Sequence, residues 1–135
     1  MILQTLFAGL PILAVQFLTT FGLLGIGVGA YFAITPFDER RMVREGNVAA
    51  GVLLGGTVLA LSIPLAATLA SSASQLDIFI WGLVALAIQL LTFLGVSVFI
   101  KGLRGMIEGG NVAMAVTVVS IQLAVALLNA CSMAG

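Results

Sequence analysis

Asp38-Glu39-Arg40-Arg41-Met42-Val43-Arg44-Glu45 carries six of the ten charges in a chain of 135 residues. Three more, Lys101, Arg104 and Glu108, form a second charged segment, and Asp77 stands alone. These positions divide the chain into uncharged runs at 1–37, 46–76, 78–100 and 109–135. Each run is at least as long as the ~20 apolar residues a helix needs to cross a ~30 Å hydrocarbon core. Holding the 38–45 segment inside lipid would cost ~2.5–3.5 kcal/mol per central charge. Both charged segments are therefore loops, and the sequence predicts an all-α membrane protein of four transmembrane helices in one membrane domain, 1–135. Composition agrees, with 61% hydrophobic residues, 7% charged residues and a mean hydropathy of +1.28. A soluble domain carries about a quarter of its residues as charges.

The two charged segments lie on one side of such a four-span chain and hold all five Lys and Arg residues, while the other side has only Asp77. The positive-inside rule then puts the segments in the cytoplasm and both termini on the periplasmic side. No positive stretch precedes the first apolar run, so it reads as a retained helix and not as a cleaved signal. A net charge of zero argues against a nucleic-acid partner.

Residues 40–52 align without a gap on residues 104–116, at an offset of 64. Arg40/Arg104, Met42/Met106, Gly46/Gly110, Asn47/Asn111, Val48/Val112, Ala49/Ala113 and Val52/Val116 are identical. Biased composition supplies apolar matches by chance, but not matched Arg, Gly and Asn in register. A rival register pairs Gln16, Thr19 and Gly22 with Gln89, Thr92 and Gly95, but its offset of 73 is incompatible with the loop match. The chain therefore reads as two tandem units of the same orientation, about 13–70 and 77–134, with a pseudo-twofold axis along the membrane normal.

The loops have legible local chemistry. Pro36 stops the first crossing and opens a short surface helix, with Thr35 as its N-cap and Asp38 in its first turn. Gly46 supplies a left-handed residue, and Asn47 caps the second crossing. Gly110 and Asn111 repeat the device. Capping explains both asparagines better than a ligand role does.

At 100° per residue, Gly22, Gly25, Gly29 and Ala33 form a small-residue stripe on the first crossing. Asn47, Gly51, Gly55, Ser62 and Ala66 form another on the second. Small residues let helix backbones approach closely, so one glycine face is expected to pack within the protomer and another between protomers. Pro64 withdraws a hydrogen bond from the carbonyl of Ala60 and marks a kink.

The third and fourth crossings are more polar, with Gly82, Ala85, Gln89 and Thr92 on one face and Asn111, Ala115, Gln122 and Asn129 on another. The stripe Gln89, Thr92, Gln122 and Asn129 either bonds across helices or lines a hydrated path. Bonding is preferred, since no ionisable group joins the stripe and transport sites usually carry one.

Absent from the sequence are histidine, a carboxylate at membrane depth, a cysteine pair and a phosphate-binding glycine loop. Catalysis, metal binding and cofactor binding all lack their parts, so no enzyme, metal site or cofactor is expected. Cys131, the lone cysteine, reads as a small buried apolar residue near the outer end of the last crossing, with an intermolecular disulfide as the alternative.

Ile34-Thr35-Pro36, Gly46-Asn47-Val48-Ala49-Ala50, Ser62-Ile63-Pro64-Leu65, Trp81-Gly82, Gln89-Leu90-Leu91, Asn111-Val112-Ala113 and Asn129-Ala130-Cys131 together resemble the YjfL-like bacterial inner-membrane family, domain of unknown function 350. The resemblance spans nearly the whole chain. It implies a four-helix inner-membrane protein with a duplicated unit. The family has no established activity, so no functional residue carries over. From the residues themselves, the expected function is a helix-packing membrane subunit in the lipid bilayer, joined to copies of itself or to other membrane subunits. A small-solute or ion channel formed between protomers is the competing expectation.

Overall fold

The computed structural model describes residues 1–35, 38–71 and 74–134, and the regular elements among them are all helices. In order these are α1 (Ile2–Ile34), α2 (Glu39–Arg44), α3 (Val48–Ser71), α4 (Gln75–Phe99), α5 (Leu103–Glu108) and α6 (Val112–Ala134). α1, α3, α4 and α6 are each long and apolar enough to cross a membrane. The chain is an integral membrane protein of the expected class, with two short helices, α2 and α5, capping one end of the bundle.

Residues 39 and 103, which open the short helices, and 48 and 112, which open α3 and α6, share one spacing of 64. Gly46 and Gly110 adopt φ +86° and +82°, the left-handed conformation that ends each short helix without a Cβ clash. Asn47 Oδ1 then accepts the Ala50 amide at 3.1 Å, and Asn111 Oδ1 accepts that of Met114 at 3.0 Å. The start of α2 differs from expectation. Asp38 is its N-cap, its carboxylate accepting the Arg41 amide at 3.2 Å, while Thr35 closes α1 in extended conformation. An N-cap immediately precedes its helix, and Thr35 lies four residues before Glu39, its hydroxyl turned back to the Tyr31 carbonyl. Pro36 lies outside the described residues.

α3 and α6 form the most extensive pairing in the bundle. Gly56 lies directly against Val119, which fills the space a Cβ would need. α1 and α4 meet through a reciprocal exchange: Leu23 rests on Gly82, and Leu86 rests on Gly27. Lipid supplies no hydrophobic force between helices, so these close approaches provide the dispersion contacts that hold the pair.

The glycines that make these contacts are not those of the expected stripes. Gly22, Gly25, Gly29 and Gly55 are exposed and Gly51 is half-buried. A Cβ at any of the five would meet nothing within 4 Å among the described residues. Among the described residues no glycine stripe packs inside the protomer; the seams are filled instead by a large side chain set on a lone glycine. On α1 the buried stripe is Leu23, Gly27 and Tyr31.

α1 is also too long for the bundle. Its 33 residues span about 50 Å, against a ~30 Å hydrocarbon core. The Gln75 side-chain amide, at the start of α4, donates to the Thr19 hydroxyl, so α1 before Thr19 runs past the end of α4. Residues 1–15 are all exposed.

Candidate functional site

Polar side chains in an apolar bundle are the natural place to seek chemistry, since each must find partners there. Gln89, Gln122 and Asn129 are buried, as the polarity of α4 and α6 implies. Gln89 Nε2 donates to the Gln122 carbonyl at 3.3 Å, and Asn129 Nδ2 to the Ala85 carbonyl at 3.4 Å. These are side chain to backbone bonds; the two glutamines do not bond each other through their side chains. Thr92 stays apart, half-buried, its hydroxyl returned to the Ile88 carbonyl at 2.8 Å.

Thr57 on α3, absent from the expected stripe, completes the set. Its hydroxyl is 2.7 Å from the Leu53 carbonyl and 2.9 Å from Gln122 Oε1. A threonine hydroxyl has one proton. With that proton on Leu53, Thr57 Oγ1 is an acceptor, and the Gln122 amide is best satisfied turned with Nε2 toward it. That turn gives Nε2 the partner it otherwise lacks, and leaves Gln89 Oε1 and the turned Gln122 Oε1 as open acceptors of the set. The grouping of α3 around Asn47, Gly51 and Gly55 hid Thr57 from the sequence reading, since Thr57 belongs to the opposite, buried face.

The least expected residue is Glu39. Read as part of a solvated loop, it is instead 1% exposed, at the end of the bundle. Its Oε1 accepts a hydrogen bond from the Tyr31 hydroxyl, and Oε2 has no partner among the described residues. Tyr31 is itself fully buried, edge-on to Phe93 with ring centroids 4.8 Å apart. Glu39 with Tyr31 thus forms one buried polar pair, and Thr57 with Gln122 a second.

Glu39 borders a cleft of about 440 Å³ between the two charged segments, lined also by Phe32, Thr35, Asp38, Arg40 and Arg104. The cations there are engaged elsewhere. Arg104 pairs with Glu108 at 2.6 Å, Arg41 with Glu45 at 3.7 Å, and the Arg40 guanidinium lies 4.8 Å from the Phe32 ring centroid. Burial without a cation pushes the Glu39 carboxyl up to about 7, and the Tyr31 hydrogen bond opposes that rise only in part. A signal for Glu39 did exist one position outside the aligned block: at the 64-residue offset, Glu39 faces Leu103.

At the opposite end a groove of about 450 Å³ is lined by Thr68, Ser71, Asp77, Trp81, Asn129 and Ser132. Cys131 is exposed there, not buried as expected, because it lies on the outer face of α6. Among the described residues, no group of three or more His, Cys, Asp or Glu side chains could hold a metal ion.

Residues 5–133 match the family described as Domain of Unknown Function (DUF350). Two curated relatives, each named UPF0719 inner membrane protein YjfL, come from Escherichia coli strain K12 and Escherichia coli O157:H7. Each is 36% identical to the chain over 103 residues, covering 76% of this chain and 78% of the relative. No solved structure matches.

Proposed function

The chain belongs to the DUF350 family, and on that footing we propose that it is a non-enzymatic subunit of the bacterial inner membrane that assembles with copies of itself, or with other membrane subunits, through α1. The bare length of α1 carries this reading. Residues 1–15 have no partner within the described chain, and Gly22, Gly25 and Gly29 continue the same helix as an open surface. A second helix can approach closely along such a surface. The names of the relatives supply the inner membrane. The concentration of all five basic residues in the two charged segments supports placing them in the cytoplasm and the termini in the periplasm. The common spacing of 64 supports an ancestral two-helix unit copied in tandem. A conducting path between protomers draws no support from the polar stripe, since Gln89, Gln122 and Asn129 face the interior of a single protomer.

The double change Gly25→Leu and Gly29→Leu tests the association. Both positions have open space, so the protomer's thermal stability in mild detergent should not change, while the native mass should fall. A native mass equal to that of the parent chain would reject α1 as the assembly face.

A further inference from the structure

Buried carboxylates are usually held by a cation or by several N–H donors. Glu39 has neither. One oxygen accepts from Tyr31, the other has no partner among the described residues, and the side chain is 1% exposed. Packing does not require a carboxyl at this point in the fold. Leu103, the first residue of α5, occupies the corresponding place in the second charged segment and is likewise buried, 5% exposed. An apolar residue therefore serves that position where only packing is needed. A carboxyl there is costly in both states: ionised, it is a buried charge on one hydrogen bond; neutral, its own hydroxyl has no acceptor among the described residues.

We propose that Glu39 is a proton-binding site, a carboxyl that takes one proton from water in the cleft between the charged segments and returns it there. On uptake an O–H bond forms on Oε2, the oxygen without a partner, while Oε1 keeps its bond from the Tyr31 hydroxyl. The proton comes from a hydronium ion or buffer acid in the cleft, and no other covalent bond changes.

The surroundings select a proton over a metal cation. Within the cleft Asp38 caps α2 and Glu108 pairs with Arg104, so each already has one oxygen engaged. Arg40, Arg41 and Arg104 line the same cleft and repel a cation. A proton needs one oxygen only. From the helices packed on this end, α1 contributes Tyr31, α2 contributes Asp38, Arg40 and Arg41, and α5 contributes Arg104 and Glu108. α3 has no ionisable residue, and the one carboxylate of α4, Asp77, is at the far end. The raised affinity of the carboxyl for its proton agrees with this setting. The inference does not depend on self-association, and its test does not read native mass.

The test is infrared difference spectroscopy of the full chain in lipid nanodiscs, titrated from about pH 5 to about pH 9, above the range of ordinary carboxylates. The expected result is a carbonyl band of a protonated acid that disappears with a midpoint near neutrality. It should be absent in Glu39→Gln and retained in Glu108→Gln. In Tyr31→Phe the midpoint should move to higher pH, because the lost hydroxyl had favoured the ionised form. Should Glu39→Gln fail to fold, the parent band and its movement in Tyr31→Phe still decide. A parent chain with no carboxyl titrating above the ordinary range would overturn the proposal. So would a band that persists in Glu39→Gln, or a midpoint that follows the concentration of sodium or potassium at constant pH.

Discussion

α2 and α5 are built alike and charged differently. Both are six residues long, both end on a left-handed glycine, and both hand over to an asparagine that caps the following crossing. Their starts diverge. α2 begins on the Asp38 carboxylate, whereas α5 begins on Gly102, itself left-handed at φ +76° and with no side-chain cap. The first residue of each is buried: a carboxylate held by a tyrosine in α2, a leucine in α5. At the offset of 64 the counterpart of Tyr31 is Gly95, so the tyrosine and the carboxylate are missing from the second segment together. Shared features of the two segments can be assigned to building a turn at a membrane surface. Features confined to one of them need another explanation, and Glu39 with Tyr31 is the pair so confined.

Exchanging the two characters should have the largest effect. Leu103→Glu buries a carboxyl where no tyrosine stands to hold it. An uncompensated buried charge costs about 3–5 kcal/mol, so the variant should unfold at markedly lower denaturant in mixed micelles at neutral pH. The reciprocal double change, Glu39→Leu with Tyr31→Phe, removes both polar partners at once and should leave stability near or above that of the parent. A harmless Leu103→Glu would show that this end of the bundle is open to water, and Glu39 would then lose its special status.

A somewhat smaller effect is expected from pH alone. The folded state raises the Glu39 carboxyl from its ordinary 4.5 to about 7, so it binds this proton more tightly than the unfolded chain does. The stability so gained is fully present below about pH 4.5 and is lost as pH rises through about 7, by linkage on the order of 3 kcal/mol. Melting temperatures in detergent should therefore fall between pH 5 and pH 8, by this same linkage. Glu39→Gln, neutral at every pH, should flatten that slope. A parent chain that gains stability across this window would mean that the folded state prefers the ionised carboxyl.

The four crossings and both turns could be read from the sequence because charges and Gly-Asn pairs punctuate an otherwise uninterrupted apolar chain. The rotation of α1 and α3 about their axes could not. In water the exposed face of a helix declares itself by polarity, but against lipid both faces are apolar, and a stripe such as Gly25 and Gly29 marks open space as readily as contact. α4 and α6 could be oriented because Gln89, Gln122 and Asn129 must avoid lipid and so mark the interior. Glu39 escaped for the opposite reason. A carboxylate among arginines reads as solvated, and only the comparison with Leu103 shows that its place is a buried one.

The smallest predicted difference lies in the two caps, and it sharpens the comparison where the segments look most alike. Asn47 and Asn111 each accept a backbone amide in the first turn of the following helix, at 3.1 and 3.0 Å. Loss of such a cap costs typically about 1 kcal/mol. Asn47 does more than cap: its Nδ2 also donates to the Ile107 carbonyl at the end of α5, at 2.9 Å, joining the first segment to the second. Asn111 is exposed, and capping is its one side-chain bond among the described residues. Asn47→Ala should therefore cost more than Asn111→Ala, by roughly the 0.5–1.5 kcal/mol of one further hydrogen bond. Asn47→Asp isolates that increment, because a carboxylate still caps the helix but cannot donate to Ile107. Equal losses in Asn47→Ala and Asn111→Ala would mean that the bond between the segments contributes nothing. The two short helices would then be independent turns that happen to lie side by side, and the cleft bordering Glu39 would have no fixed wall.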